Sequence, residues 1–306
     1  MKQLSFIIIG LLLIAACGQS YEETKRITRQ QRREAARRDS AALKVAVMPT
    51  LDCLPMYVAE YHHLFDTLNG GVRLKFFTAQ MDCDTAMERG RVEGSITDLV
   101  RGQRMVRRGT PLRYIASTNA YWQLISNRNA RIRNLKQLDD KMLAMTRYSV
   151  TDLMGDYAVD SARLKPERLF RVQINDVNVR LLMLQNNEMD ALLLTEPQAT
   201  AARNDGNRVL LDTRQLDWQM GVLAFRERGV KTRARQLQLD AFVQAYNQAC
   251  DSINKYGVGR YRSLLTERYG ISAATVDSLP RSIRFSHAIG PRQQDIDVAD
   301  RWLKKK

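Results

Sequence analysis

Leu43-Lys44-Val45-Ala46-Val47-Met48-Pro49, with Pro55-Met56-Tyr57-Val58-Ala59-Glu60 close behind it, is the stretch on which the fold turns. The first run is short and almost unbroken in its apolar character, as a strand covered on both faces requires; a strand with one wet face would alternate. Pro55 then predicts a helix running to about residue 63, because a first helical turn has no use for the amide hydrogen that proline lacks. The same strand, loop and helix rhythm continues outward. Strands are expected at 72–77, 94–97, 112–116, 122–126, 142–145, 169–173 and 191–194, with helices at 84–89 and from about 150 and 177. Such alternation implies parallel sheets with helices on both faces. Beyond Arg233 the pattern turns helical, at about 233–256, 261–269 and 293–304.

One internal echo suggests two similar α/β halves. Glu88-Arg89-Gly90-Arg91-Val92-Glu93-Gly94-Ser95-Ile96-Thr97-Asp98 is matched in pattern by Asn187-Glu188-Met189-Asp190-Ala191-Leu192-Leu193-Leu194-Thr195-Glu196. In each a helix ends, an acidic residue precedes a small one, a short buried strand follows, and Thr with a carboxylate closes it.

The chain has 306 residues, 44% of them hydrophobic, so its main part can build one large or two mid-sized cores. Its start reads as a leader. Lys2 precedes an apolar run over residues 6–13, too short for the roughly 18 to 20 residues of a membrane span. Ile14-Ala15-Ala16-Cys17 then resembles a lipobox, which implies cleavage before Cys17 and lipid on that cysteine. Each buried acyl methylene contributes about 0.8 kcal/mol, so several chains hold a protein at a membrane without a spanning helix. Residues 18–42 are polar and arginine-rich and lack a wide apolar face, so they read as a tether, disordered or loosely helical. The formal charge of +15 raises nucleic-acid binding as a function. The basic residues are spread along the whole chain, however, and the leader implies export, so no nucleic-acid partner is expected.

From Val45 to Glu60, and on through Leu64-Phe65, the sequence resembles the opening of ABC-transporter solute-binding proteins of the sulfonate, taurine and thiamine-precursor group. Gly94 to Asp98, Gly109-Thr110-Pro111-Leu112, Leu135-Lys136-Gln137-Leu138 and Glu188-Met189-Asp190-Ala191 before Glu196-Pro197 continue it in order. Two places depart from the pattern: Tyr61-His62-His63 replaces a glycine-bearing turn, and Lys141 stands where glycine is common. The resemblance implies the two-lobed periplasmic-binding-protein fold (type II), each lobe a mainly parallel sheet flanked by helices, joined by a two-strand hinge. The expected organisation is a signal peptide at 1–16, a lipidated N-terminus and flexible tether at 17–42, lobe one at 43–121 and 226–306, and lobe two at 122–225. The crossings are expected near 121–127 and 218–225.

Ligands of open parallel sheets sit beyond the carboxyl ends of the strands. That rule selects Thr50, Asp52, Asp82, Thr97, Asp98, Asn119, Tyr148, Ser149, Thr151, Asn175, Asp176 and Glu196 as candidate ligand-binding residues. Each hydroxyl or amide could equally cap a helix or close a turn. The carboxylates among them suit a ligand with a cationic group, whereas Arg147 and the helix start near Ser149 suit an anion; both remain open. Cys53 and Cys83 fall in neighbouring loops and could form a disulfide, with two free thiols as the competing reading. Cys250 reads as a buried small hydrophobe. His62 and His63 point in different directions on a helix and make a poor metal pair.

No phosphate loop, zinc-protease motif or nucleophile elbow occurs, so no catalytic residue, metal or cofactor is expected. The leading function is capture of a small-molecule solute by a monomeric, lipid-anchored extracytoplasmic protein that delivers it to an ABC permease. The alternatives are an enzyme on the same fold, of the pyrimidine-precursor synthase or dehydratase type, and an adhesin whose cleft has decayed. Export and the absence of a cysteine-rich iron motif weigh against the enzymes.

Overall fold

The computed structural model describes residues 21–65 and 71–306. The segment read as a leader, and Cys17, lie outside the described residues. The chain divides into two compact units, residues 1–42 and 43–306. In the first, helix α1 (Tyr21–Ala41) spans the segment read as a tether. Its lack of an apolar stripe leaves most of its described side chains exposed. Among the described residues no helix is long and apolar enough to cross a membrane.

The second unit holds two five-stranded sheets. Its elements run β1 (Leu43–Val47), α2 (Leu54–Tyr61), β2 (Val72–Phe76), α3 (Gln80–Glu88), β3 (Gly94–Asp98), α4 (Leu99–Arg107), β4 (Leu112–Ser117), β5 (Trp122–Ser126), β6 (Lys141–Met145) and α5 (Val150–Ala162). They continue with β7 (Leu169–Gln173), α6 (Val177–Gln185), β8 (Ala191–Thr195), α7 (Gln198–Asn204), β9 (Arg208–Asp212), β10 (Gly221–Arg226), α8 (Arg233–Tyr256), α9 (Arg262–Tyr269), α10 (Ala273–Asp277) and α11 (Gln293–Lys305). Strand order is β2-β1-β3-β10-β4 in one sheet and β7-β6-β8-β5-β9 in the other. Each has one antiparallel strand in the fourth place, supplied by the chain on arriving from the opposite sheet. The crossings are the segments 118–121 and 213–220. β10 lies in the first sheet, so the chain returns there at Gly221, ahead of the expected boundary at 226, because this strand is the one that seats beside β3.

The echo in the sequence marks equivalent joints of the two sheets. Val45 and Ala46 pair with Gly94 and Ser95 just as Leu143 and Ala144 pair with Ala191 and Leu192. The acid ahead of each strand holds the start of its neighbour in the same way. Glu93 accepts the Lys44 amide at 2.7 Å, and Asp190 accepts that of Met142 at 2.9 Å. The carboxylate behind each strand receives an amide of the next helix, Arg101 onto Asp98 and Thr200 onto Glu196.

Both faces of the sheets are covered, which is why their central strands read as apolar runs. In the second sheet Leu143, Met145 and Leu193 pack on one side, and Ala144, Leu192 and Leu194 on the other. In the first, Phe225 meets Phe242 edge to face, and Phe65 stacks on Phe242. Gly94 is required there: a β-carbon would sit 2.5 Å from the Phe225 ring. A further cluster of Val100, Val150, Leu153, Val222, Ala299 and Trp302 joins α4, α5, β10 and α11, and so ties the sheets together.

Candidate ligand cleft

The carboxyl ends of β1, β3, β6 and β8 converge on a hollow of about 40 Å³. That is room for a few water molecules. Its wall includes Thr50 and Asp52 after β1, Thr97 and Asp98 at the end of β3, Ser149 and Thr151 at the start of α5, and Thr195 and Arg180 from the β8 side. Six of the twelve residues selected from the sequence are thus brought together.

Asp98 is buried, and its Oδ1 accepts amides from both sheets' helices, Arg101 at 3.0 Å and Val150 at 3.2 Å. Burial raises its pKa to about 7, with the Arg101 charge and amide working against that rise. Burial likewise raises Asp52, opposed by hydrogen bonds that include one from the Thr118 hydroxyl. Ser149 and Thr151 are occupied with each other and with the turn: Ser149 accepts the Thr151 amide and donates to the Thr146 carbonyl, and Thr151 Oγ1 accepts the Thr146 amide. Thr97 differs, since its buried hydroxyl has no partner.

Arg180 was not among the candidates, and it is the most consequential group in the hollow. It sits on the buried stripe Val177, Arg180, Leu181 and Leu184 of α6. A charge at that helical spacing on an apolar face was the signal available in the sequence. Its Nη1 donates to the Leu193 carbonyl at 2.5 Å, its Nε has no partner, and it makes no ion pair among the described residues. Burial lowers its pKa to about 10, with Asp176 opposing and Arg101 adding to the effect, so it stays charged at neutral pH. Arg101 itself is paired with Asp84.

The other six candidates lie elsewhere. Glu196 is consumed structurally: Oε1 accepts the Tyr121 hydroxyl at 2.5 Å and Arg203, and Oε2 accepts the Thr200 amide and hydroxyl. Asp176 caps α6 through the amides of Asn178 and Val179. Asn175 accepts from Gln173, and Asp82 is exposed in the first turn of α3. Asn119 donates to the Arg284 carbonyl beside a different hollow. Tyr148 is partly exposed, with the Arg104 guanidinium 4.3 Å above its ring. The allowed disulfide does not form, and all three described cysteines are free and buried. Cys53 Sγ instead accepts the Met48 amide at 3.3 Å and faces the Thr50 hydroxyl, while Cys83 turns toward Ser95.

Direct hydrogen bonds also link the loops and helices of the two sheets. The Leu51 amide donates to the Glu196 carbonyl at 2.8 Å, Gln198 Nε2 to the Pro49 carbonyl at 2.8 Å, and Asn178 to the Tyr269 carbonyl at 3.3 Å.

No family model and no curated protein matches this sequence. Solved structures do match in shape. The alkanesulfonate-binding protein of Xanthomonas axonopodis pv. citri, bound to MOPS, superposes with a TM-score of 0.73 at 16% identity, covering 87% of this chain and 92% of that one. The fold is that of two-lobed solute-binding proteins. The periplasmic aliphatic sulphonate binding protein of Escherichia coli gives 0.68 at 17% identity, covering 87% of each chain. The nitrate-binding protein of Synechocystis gives 0.66 at 13%, covering 83% of this chain and 74% of that one.

Proposed function

We propose that this chain is a lipid-anchored extracytoplasmic solute-binding protein that captures a small organic solute bearing an anionic group and delivers it to an ABC permease. Burying a lone guanidinium costs several kcal/mol, and one carbonyl does not offset that. A carboxylate, sulfonate or similar group from the solute would complete it, accepting from the free Nε of Arg180 and from the Thr97 hydroxyl. This supports the anion over the cationic ligand that the carboxylates had suggested, since Asp98 is held by two amides and part-neutralised by its raised pKa.

A solute larger than a few waters enters only when the sheets part. Capture then consists of re-forming the Leu51–Glu196 and Gln198–Pro49 bonds over it, with no covalent bond made or broken. Lipid on Cys17 would keep the monomer at the membrane where its permease sits.

The observation that carries this reading is the buried Arg180, without an ion pair among the described residues, in the same hollow as the unpartnered Thr97 hydroxyl. The test is thermal unfolding against small organic acids at millimolar concentration, with ethylammonium as the cationic control. Stabilisation by at least one acid, and its loss in Arg180→Gln, is expected. Stabilisation by the cation alone, or by acids equally in both proteins, would overturn it.

A further inference from the structure

A second hollow lies in the sheet of β5 to β9, at its end remote from the cleft. β5 runs antiparallel to β8, so its carboxyl end points away from the ligand side. There the loop after Ser126 and the turn before Arg208 border an open hollow of about 450 Å³. Four arginines, Arg128, Arg131, Arg133 and Arg208, line it, and no carboxylate does.

Their convergence is built by the backbone. Ser126 pairs in register with Arg208, and its hydroxyl donates to the Ile132 carbonyl at 3.0 Å, which ties the loop's far end back to the strand. Arg128 is fixed twice, its amide on Asn207 Oδ1 at 2.9 Å and its Nη1 on the Asp205 carbonyl at 3.1 Å. Arg131 takes the left-handed conformation, with φ of 54°, which side chains other than Gly, Asn and Asp seldom adopt. Asp205, whose carbonyl Arg128 holds, lines a neighbouring hollow, and its carboxylate accepts from Gln185. None of the four arginines makes an ion pair among the described residues, unlike Arg108, Arg168, Arg262 and Arg292 elsewhere on the surface. Like charges gathered without counter-charge repel.

We infer that this arginine-lined hollow is a binding site for a phosphoryl anion of two or more charges, separate from the solute cleft. Guanidinium forks match phosphate oxygens two at a time. The four side chains come from one loop and one strand end, a span that suits a compact group. The phosphoryl group can come from a soluble polyphosphate or from lipid head groups, and the same side chains would serve both.

The experiment uses the full chain carrying Cys17→Ser, so that no acyl group inserts into vesicles. Pyrophosphate binding is followed by calorimetry. Vesicle binding is followed by co-sedimentation with phosphatidylglycerol against phosphatidylcholine. Arg131→Gln and Arg208→Gln each remove one exposed side chain, and unchanged thermal unfolding shows that they fold. Each is expected to weaken whichever probe binds by about tenfold, equivalent to about 1.4 kcal/mol, and the pair by more, with a shallower salt dependence. Arg180→Gln should leave this binding unchanged, which keeps the site distinct from the cleft whether or not the solute-capture reading holds. Binding of pyrophosphate alone assigns a soluble ligand, and of phosphatidylglycerol alone a membrane one. Binding of neither, binding by both glutamine variants as tight as that of the wild-type chain, or preference for polyglutamate over both probes would overturn the inference.

Discussion

Replacing Arg180 by Met should make the empty protein more stable and deaf to its solute. The guanidinium is buried without a carboxylate, and its one bond, to the Leu193 carbonyl, contributes about 1.5–3 kcal/mol as a charge-assisted hydrogen bond. Against this stands a desolvation cost of several kcal/mol. Met follows the same path along α6 and leaves one carbonyl to find another donor. The net expectation is a gain of about 1–3 kcal/mol, or roughly 2–10 °C in Tm for a body of this size. The wild-type chain should gain about 2.7 kcal/mol from a solute at a hundredfold its Kd, and the variant less than about 0.5 kcal/mol. Calorimetric unfolding of both proteins, with and without small organic acids, measures both quantities. A variant that is less stable when empty and still answers the same acids would refute the reasoning, because Arg180 would then be an ordinary structural group.

Other consequences follow from the same geometry. Asp98 has its folded pKa raised from 3.8 to about 7, so the folded chain holds this proton more tightly than the unfolded one. The stability this contributes is complete below about pH 4 and is lost as pH rises to about 7. Asp98→Asn keeps an oxygen for the Arg101 and Val150 amides, and should flatten that decline and raise stability at pH 8; an unchanged pH profile in denaturant titrations would contradict it. Gly94→Ala places a methyl against the Phe225 ring and should cost about 1–3 kcal/mol, measured by urea unfolding. Cys53, Cys83 and Cys250 are buried with raised pKa values, so a disulfide-exchange reagent should label them only on unfolding; rapid native labelling would contradict their burial. Cys17→Ser should abolish acylation, read by the mass of the purified chain.

The strands were legible because both sheets are covered on two faces, which turns segments such as Leu43–Val47 and Ala191–Thr195 into apolar runs. The two acidic echoes were legible for a reason now visible, since Glu93 and Asp190 each hold the neighbouring strand's first amides. Helices α4 and α10 and strand β9 were not read. α4 begins on the residue after β3 and carries Arg101 on its buried side, so the pattern shows neither a break nor a clean stripe. At the cleft, position relative to strand ends selected Thr50, Asp52, Thr97, Asp98, Ser149 and Thr151. It could not tell a free carboxylate from one already claimed, as Glu196 is by Tyr121, Thr200 and Arg203. It also passed over Arg180, which reaches the cavity from within a helix rather than from a loop.

Native mass spectrometry of the gently purified chain, beside Arg180→Gln, tests solute capture most directly. The wild-type protein should carry, or take up one-to-one, an acid of low mass that the variant does not retain. Equal retention by both proteins, or a bound species with no acidic group, would contradict an anion held between the two sheets.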